Sequence, residues 1–325
     1  MPEGTRARTA WIEALRPDLR RKREALRVDR PGGWLWETEP NGTGAQRPVL
    51  TVFLTNRECP WRCLMCDLWR HTRTEPVPPG AIPKQIDAAL QAAGAIPPGT
   101  RLKLYNAGSF FDAGAIPPAD HAAIAARCRV FESVLVECHP TLVGDGRRIR
   151  EFQALVAPAN LEVAMGLETA HPDVLERLNK RMTLDDFREA AGVLRSLGVG
   201  TRTFVLVGPP FLPKEQVVEW TVRSVEFAFS AGIEWVAVIP TRLGNGALER
   251  LRGDGAFEEP TLELFEDAVD AAMSHRRGML LADLWDLERF GGGLPGFEAR
   301  RRRLEEMNRM QGVFPRVPVM ATGSR

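Results

Sequence analysis

Three cysteines fall within eight residues, Cys59-Pro-Trp-Arg-Cys63-Leu-Met-Cys66, and the C-x3-C-x2-C spacing puts three thiols on one short loop. Thiolates are soft ligands. A loop of this length can wrap one corner of an iron–sulfur cube and give one sulfur to each of three irons. Structural and electron-carrying clusters normally take four protein ligands, so a set of three leaves one iron open to an exogenous molecule, which is a catalytic arrangement. The competing chemistry is a zinc site, which needs a fourth ligand such as His71 or Cys128 and usually pairs two short ligand motifs. No second pair of suitable spacing is present. Cys128 and Cys138 stand apart from the group and read as small core hydrophobes.

The loop needs a scaffold, and the surrounding pattern supplies one. Short β-branched stretches alternate with helical periodicity, the signature of repeated β-α units and a parallel sheet. Six strands are predicted, over 49–55, 102–105, 133–137, 161–166, 203–207 and 234–239, with helices over 83–94, 118–129, 147–157, 183–197, 213–231 and 261–274. Thr183 reads as an N-cap and Gly198 as a stop. Six right-handed crossovers roll into a partial (β/α)6 barrel whose ligands sit at the C-terminal strand ends; an open doubly wound sheet is the alternative. The expected organisation is an N-terminal extension over 1–47, a barrel over 48–280, and a C-terminal extension over 281–325 that closes the mouth.

Candidate site residues follow from that placement. The first strand delivers the cysteine loop. After the second comes Tyr105-Asn106-Ala107-Gly108-Ser109, where small residues permit close backbone approach and Asn106 and Ser109 offer hydrogen bonds. The third ends in Glu137, whose carboxylate suits ribose hydroxyls or an ammonium. The fourth gives Glu168. The later strand ends are read as supplying Arg202 and Arg242, guanidinium groups able to clamp an anionic substrate with two parallel hydrogen bonds. Asp283, Trp285 and Asp286 follow the last repeat and could close over a planar or polar substrate.

The cysteine spacing after a first strand, with five further β-α units, resembles the radical SAM superfamily. The resemblance implies a [4Fe–4S] cluster on Cys59, Cys63 and Cys66, with S-adenosylmethionine chelating the open iron and being reductively cleaved to methionine and a 5′-deoxyadenosyl radical. It implies that the turn at Asn106, Gly108 and Ser109 receives the methionyl group. Met65 stands where the family commonly has an aromatic residue against adenine. Glu137-Cys138-His139-Pro140 is similar to the E-x-x-P of the Elp3-like, MiaB-like and coproporphyrinogen-oxidase-like branches, where the glutamate helps bind S-adenosylmethionine. Gly166-Leu167-Glu168-Thr169, Leu175 and Asn179-Lys180-Arg181-Met182-Thr183 resemble a second block of those branches, with Glu168 facing cosubstrate or substrate. The resemblance extends over about 48–286 to small archaeosine-synthase-like and Elp3-like proteins, and the Cys-x3-Cys-x-Met-Cys form to the cytosylglucuronate decarboxylase of blasticidin-type nucleoside pathways. It implies abstraction of hydrogen from a small sugar or nucleoside, such as decarboxylation of cytosylglucuronic acid, with an external electron donor such as flavodoxin or ferredoxin. The alternative it implies is a tRNA-modifying enzyme of archaeosine-synthase type.

Composition bounds these readings. The chain has 325 residues, 44% hydrophobic and 26% charged, which excludes disordered, fibrous and disulfide-stapled classes. No apolar run reaches bilayer length and residues 1–20 are polar, so a soluble cytoplasmic protein without membrane contact is expected. A net charge of +1 argues against nucleic acid as a partner. The runs Arg20-Arg21-Lys22-Arg23 and Arg300-Arg301-Arg302-Arg303 read as solvated helix faces balanced by acids such as Glu298, Glu305 and Glu306.

Overall fold

The computed structural model describes residues 1–41 and 44–317. Two helices, α1 (Thr5–Ala14) and α2 (Arg20–Glu24), precede β1 (Gly33–Pro40), which pairs antiparallel with β2 (Gln46–Phe53) from Gly33 opposite Phe53 to Pro40 opposite Gln46. Helix α3 (Ala81–Ala93) leads to β3 (Arg101–Tyr105), α4 (His121–Cys128) to β4 (Ser133–Glu137), and α5 (Arg147–Val156) to β5 (Asn160–Glu168). Helices α6 (Pro172–Arg177) and α7 (Leu184–Ser196) precede β6 (Gly200–Val207), and α8 (Val217–Ser230) precedes β7 (Trp235–Pro240). Then come α9 (Ala247–Gly253), α10 (Leu262–Ser274), β8 (Met279–Ala282), α11 (Glu288–Gly291) and α12 (Phe297–Met310). Among the described residues no helix is long and apolar enough to cross a membrane.

All six predicted strands are present, and each of the other two extends the sheet at one edge. Strand β1 is the Trp34-Leu35-Trp36-Glu37-Thr38-Glu39 stretch, whose alternation is a period-2 signal, and β8 comes from the tail. Spatial order follows chain order from β1 to β8, without the reversal of a doubly wound sheet, and the sheet curls through 241° into an open half-barrel. Helix α7 begins as expected: Thr183 Oγ1 accepts from the Asp186 N–H at 3.1 Å, and the Asp186 carboxylate accepts from the Thr183 N–H at 2.7 Å. Residues 318–325 of the expected closing extension lie outside the described residues.

The two faces of the sheet differ in kind. Outward side chains such as Leu50, Leu102, Val134, Val163, Val205 and Val236 are fully buried with helix residues including Ile86, Phe152, Phe187 and Phe265 in the main core. This burial drives the wrapping of helices round the convex face. Inward side chains line a concave lumen. Toward the C-terminal strand ends Phe53, Tyr105, Phe204 and Ile239 are half-buried there. At the N-terminal ends the space is filled by charge. Glu39 receives Arg202 through both guanidinium nitrogens at 2.5 and 3.0 Å and Lys103 at 2.7 Å; Glu37 holds Lys103 at 2.8 Å, and Arg101 reaches Glu162. The Trp235 ring lies against the Arg202 and Arg101 guanidinium groups, at 4.7 and 5.1 Å.

That plug corrects the reading of Arg202 as a mouth residue. It is the third residue of β6, opposite Ala164 and Trp235, 3% exposed, at the closed end of the barrel. Its cation is spent on Glu39, so it is not free to clamp a substrate. The solvated-face reading of the basic runs holds for Arg20, Arg21, Lys22 and Arg302, which are exposed, and for Arg301, balanced by Glu305, but not for three other members. Arg23 is buried and donates to Thr72 O at 2.9 Å and to Glu58 at 2.7 Å, while Arg300 and Arg303 are buried against Glu266 and Asp270. Both helices use arginine to reach acids on neighbouring elements, a partner that helical spacing alone does not reveal.

Burial pushes the Glu39 carboxyl up, but Arg202 and Lys103 outweigh it and hold the group well below the usual carboxylate range. A carboxyl depressed on folding contributes stability that is complete above its unfolded value of about 4.3 and is lost as pH falls toward the folded value. Glu39→Gln should therefore cost about 3–5 kcal/mol in urea denaturation at pH 7 by leaving Arg202 buried and unpaired. Between pH 5 and 2 the variant should lose less stability than the parent, and parallel acid limbs would show that the pair does not form.

Candidate functional site

The cysteine loop leaves β2 at Phe53 and is pinned from several directions before its first cysteine. Leu54 N–H donates to Tyr105 O at 2.7 Å, and Thr55 N–H to Gln85 Oε1 at 2.7 Å; Gln85 in turn donates to Thr55 O and Val28 O. Residues 56–58 run beside Arg73 through backbone bonds of 2.8 and 2.9 Å. The Glu58 carboxylate binds Arg16 and Arg23, each at 2.7 Å, tying both N-terminal helices to the loop. Within the motif, Asn179 Nδ2 donates to Arg62 O, Leu64 N–H to Leu178 O, and Asn245 Nδ2 to Leu64 O, at 2.6–2.9 Å. The Trp61 ring stacks on His139 at 4.0 Å and 10°. Thus β4, the segment after α6 and the segment before α9 all fix one eight-residue stretch, and none of these contacts is local in sequence.

Burial pushes the three thiols up, Cys59 to about 12, and neighbouring thiols push Cys59 and Cys66 further. Lys180 works against this at Cys59 and Cys63. Among the described residues no three Cys, His, Asp or Glu side chains converge closely enough to hold a single metal ion. A cube that takes one sulfur per iron asks for a different arrangement, with sulfurs spread round a corner instead of meeting at a point.

The turn after β3 lies against this loop. A Cβ on Gly108 would stand 3.3 Å from the Cys59 Cβ, so the absent side chain is what permits the approach. Asn106 is fully buried and its backbone N–H donates to Glu137 at 2.9 Å, yet neither atom of its side-chain amide has a partner. A buried amide left open on both atoms is expensive unless a ligand completes it. Ser109 Oγ accepts from the His139 N–H at 3.2 Å. Burial pushes Glu137 up to about 7 although backbone N–H groups of Asn106 and Ala107 oppose it.

Glu168 ends β5 after a bulge, at φ 69°, and pairs with Lys180 at 2.7 Å in a buried contact. A Cβ on Gly166 would sit 2.1 Å from Glu168 Oε1 and 2.6 Å from Lys180 Nζ, so glycine makes the room for this pair. Lys180 is the residue that sequence reasoning left without a role. Its position twelve residues after Glu168, in the Asn-Lys-Arg run, was the available signal. Arg242 is half-buried, bound to Asp283 at 2.8 Å and to the Trp285 carbonyl, so the segment after β8 does meet the mouth but its cation is already engaged. Met65 is half-buried against a second apolar cluster that includes Ile12, Leu64, Leu178, Leu243 and Leu248. Asn106, Gly108, Ser109, Glu137 and Glu168 are therefore gathered round the cysteine loop, Arg242 lies at the edge of the mouth, and Arg202 is remote.

Comparison with known proteins gives the family. A family model described as the radical SAM superfamily matches residues 53–221. The archaeosine synthase subunit beta of Methanosarcina acetivorans is 27% identical over 251 residues, covering 74% of this chain and 71% of that protein. The protein of the same name from Thermococcus kodakarensis is 28% identical over 200 residues, covering 58% and 61%. The structure of Methanocaldococcus infernus Elp3 superposes with a TM-score of 0.48 at 14% identity over 61% of this chain, which spans about half (51%) of that one. The two archaeosine synthase matches overturn the expectation drawn from net charge that nucleic acid is not a partner, because that is the name of a tRNA-modifying type of enzyme. A summed charge says nothing about where free cations lie. With a family match that spans the cysteine loop, Glu137, Glu168 and more than half of its length, the chain belongs to the radical SAM superfamily and is a radical SAM enzyme.

Proposed function

We propose that this enzyme acts on a nucleoside carried in RNA, in the manner of archaeosine-synthase-type proteins. The observation that carries the reading is the pair of archaeosine synthase subunit beta relatives, 27% and 28% identical. The lumen supports it physically. Phe53, Tyr105 and Phe204 present half-buried rings on one concave face, a surface suited to a planar heteroaromatic base taken out of its stack. A free cytosylglucuronate-type nucleoside would meet the same rings, but no feature of the chain selects it over a base held in RNA.

In this reading Cys59, Cys63 and Cys66 hold a [4Fe–4S] cluster. The fit rests on the donor set and on the open amide of Asn106 beside it. The group supplies one-electron cleavage of S-adenosylmethionine and, through it, abstraction of a substrate hydrogen. The chain's own residues do the positioning. Gly108 lets the cosubstrate turn approach the cysteine loop, Asn106 offers a donor and an acceptor, and Glu137 accepts from ribose hydroxyls or an ammonium. Lys180 neutralises Glu168 and brings its ammonium close to the Cys59 and Cys63 thiols. The Glu39–Arg202 plug closes the barrel floor, so access is not from that end.

The deciding experiment incubates anaerobic reconstituted protein with S-adenosylmethionine, dithionite and total tRNA, following 5′-deoxyadenosine and the masses of the digested nucleosides. Formation stimulated by RNA, with a mass change confined to one nucleoside, is expected; stimulation by free nucleosides but not by RNA would overturn the assignment. Cys63→Ala should lower iron content and abolish 5′-deoxyadenosine formation, and unchanged turnover would remove Cys63 from the ligand set. Glu137→Gln should weaken S-adenosylmethionine binding about 10- to 100-fold at pH 8, the worth of a hydrogen bond to a charged group. Because the Glu137 carboxyl is raised to about 7, it is ionised above that pH, so parental affinity should rise from pH 6 to 8 while the variant's rises less.

A further inference from the structure

A cavity of about 680 Å³ opens beside Gly208, the residue that follows β6, at the same end of the strands as Glu137 and Glu168. It lies between the C-terminus of α6, the start of the segment before α8 and the loop between α9 and α10, outside the lumen. Its size is that of a site for a nucleotide-scale ligand. Three cations line it, Arg177, Lys214 and Arg252. Among the described residues none of the three has a carboxylate within 4 Å, in contrast to the paired arginines of the barrel floor. Of the two lining acids, Glu259 is already held by Arg289 at 2.9 Å and by the Leu243 N–H at 2.7 Å, which leaves Glu258 against three cations.

The wall has a second feature. Phe211 is held at φ 71°, a conformation that a bulky residue adopts only when its surroundings impose it. Its N–H donates to Ala256 O, and its ring is covered by the Arg177 guanidinium at 3.5 Å. The outer plane of that guanidinium is a stacking surface for a base, while Lys214 and Arg252 offer point charges for phosphate. Arg177 closes α6 and is three residues from Lys180 in the chain, so the cavity wall and the pair beside the cysteine loop share one connection.

We infer that this cavity holds a nucleotide flanking the reacting one, with its base on Arg177 and its phosphodiester on Lys214 and Arg252. The inference rests on the RNA reading and deepens it. Extruding a base from its stack costs a few kcal/mol, and a grip on the neighbouring nucleotide recovers that cost at a site distinct from the chemistry.

The test measures total-tRNA binding by the full-length protein at 50–200 mM KCl. Arg177→Ala/Lys214→Ala/Arg252→Ala should lose about tenfold or more in affinity at 0.1 M salt, and its log–log salt slope should fall by about two to three. A control of equal charge, Lys84→Ala/Arg147→Ala/Arg150→Ala on helices of the convex face, should stay within about twofold of the parent. Arg177→Lys/Arg252→Lys should keep the parental slope, and melting temperatures report folding of every variant. If the parent binds and the cavity variant binds equally well, or if both triple variants lose alike, the cavity assignment falls and the RNA reading stands. If the parent binds no RNA at low salt, both fall together.

Discussion

One carboxylate holds the sheet in its curl. Glu39 sits on the edge strand β1 and bonds Arg202 on β6, five strand spacings away in the order of the sheet. In a flat sheet those strands would lie about 24 Å apart, far beyond the reach of two side chains. A contact of 2.5 Å therefore exists only because the sheet rolls, and it fixes how far it rolls. Lys103 and Arg101 on β3 share the same acid, so the floor is a balanced set of charges whose members come from opposite walls. Buried charges of this kind give little net stability over an apolar filling. Their directional demands, which an apolar floor would lack, set the shape of the space above them.

That space determines what the cysteine loop can meet. The loop is too short to hold its own conformation, and its bonds go instead to Arg73, Leu178, Asn179, Asn245 and the Trp61–His139 stack. Arg73 lies in the loop's own connection, and the other partners come from the three units that follow β4, β5 and β7, so the order of the loop depends on much of the half-barrel. The unpaired amide of Asn106 and the glycine at 108 follow β3, the strand next to β2, which brings their turn to the thiols through sheet order alone. Glu137 and Glu168 follow on the next two strands. The sequence of the site around the mouth is thus the sequence of the chain.

This collinearity explains what could be read before any coordinates. The cysteine spacing, the β-α repeat, the Thr183 cap and the strand-end glutamates are local or periodic signals, and each carries its own physics. The misreadings share a different cause. Arg202 reads as a strand-end residue, whereas register makes it the partner of Ala164 and Trp235 at the opposite end of β6. Strand β1 reads as part of an extension because its Trp-rich alternation has no β-α unit attached, and β8 because it is four residues long. Lys180 gained its role from a carboxylate on another element. For Arg202 the deciding contact, with Glu39, is 163 residues away, and no window along the chain contains it.

The same distinction governs charge. A net value of +1 sums forty-three basic and forty-two acidic residues and is blind to pairing. Many of the arginines are consumed inside the fold, at Glu39, Glu58, Glu162, Glu266 and Asp270, where they serve shape and not recognition. Such pairing withdraws these buried arginines from any encounter with a polyanion, so the cations left unpaired determine where a phosphate can rest. Recognition then depends on geometry close to the mouth, where a guanidinium stacked on a strained phenylalanine and two further cations face one cavity. For an enzyme whose cosubstrate is broken whenever an electron arrives, such late and local recognition has a chemical advantage, because a substrate held only by correct contacts at the mouth is already oriented when cleavage occurs.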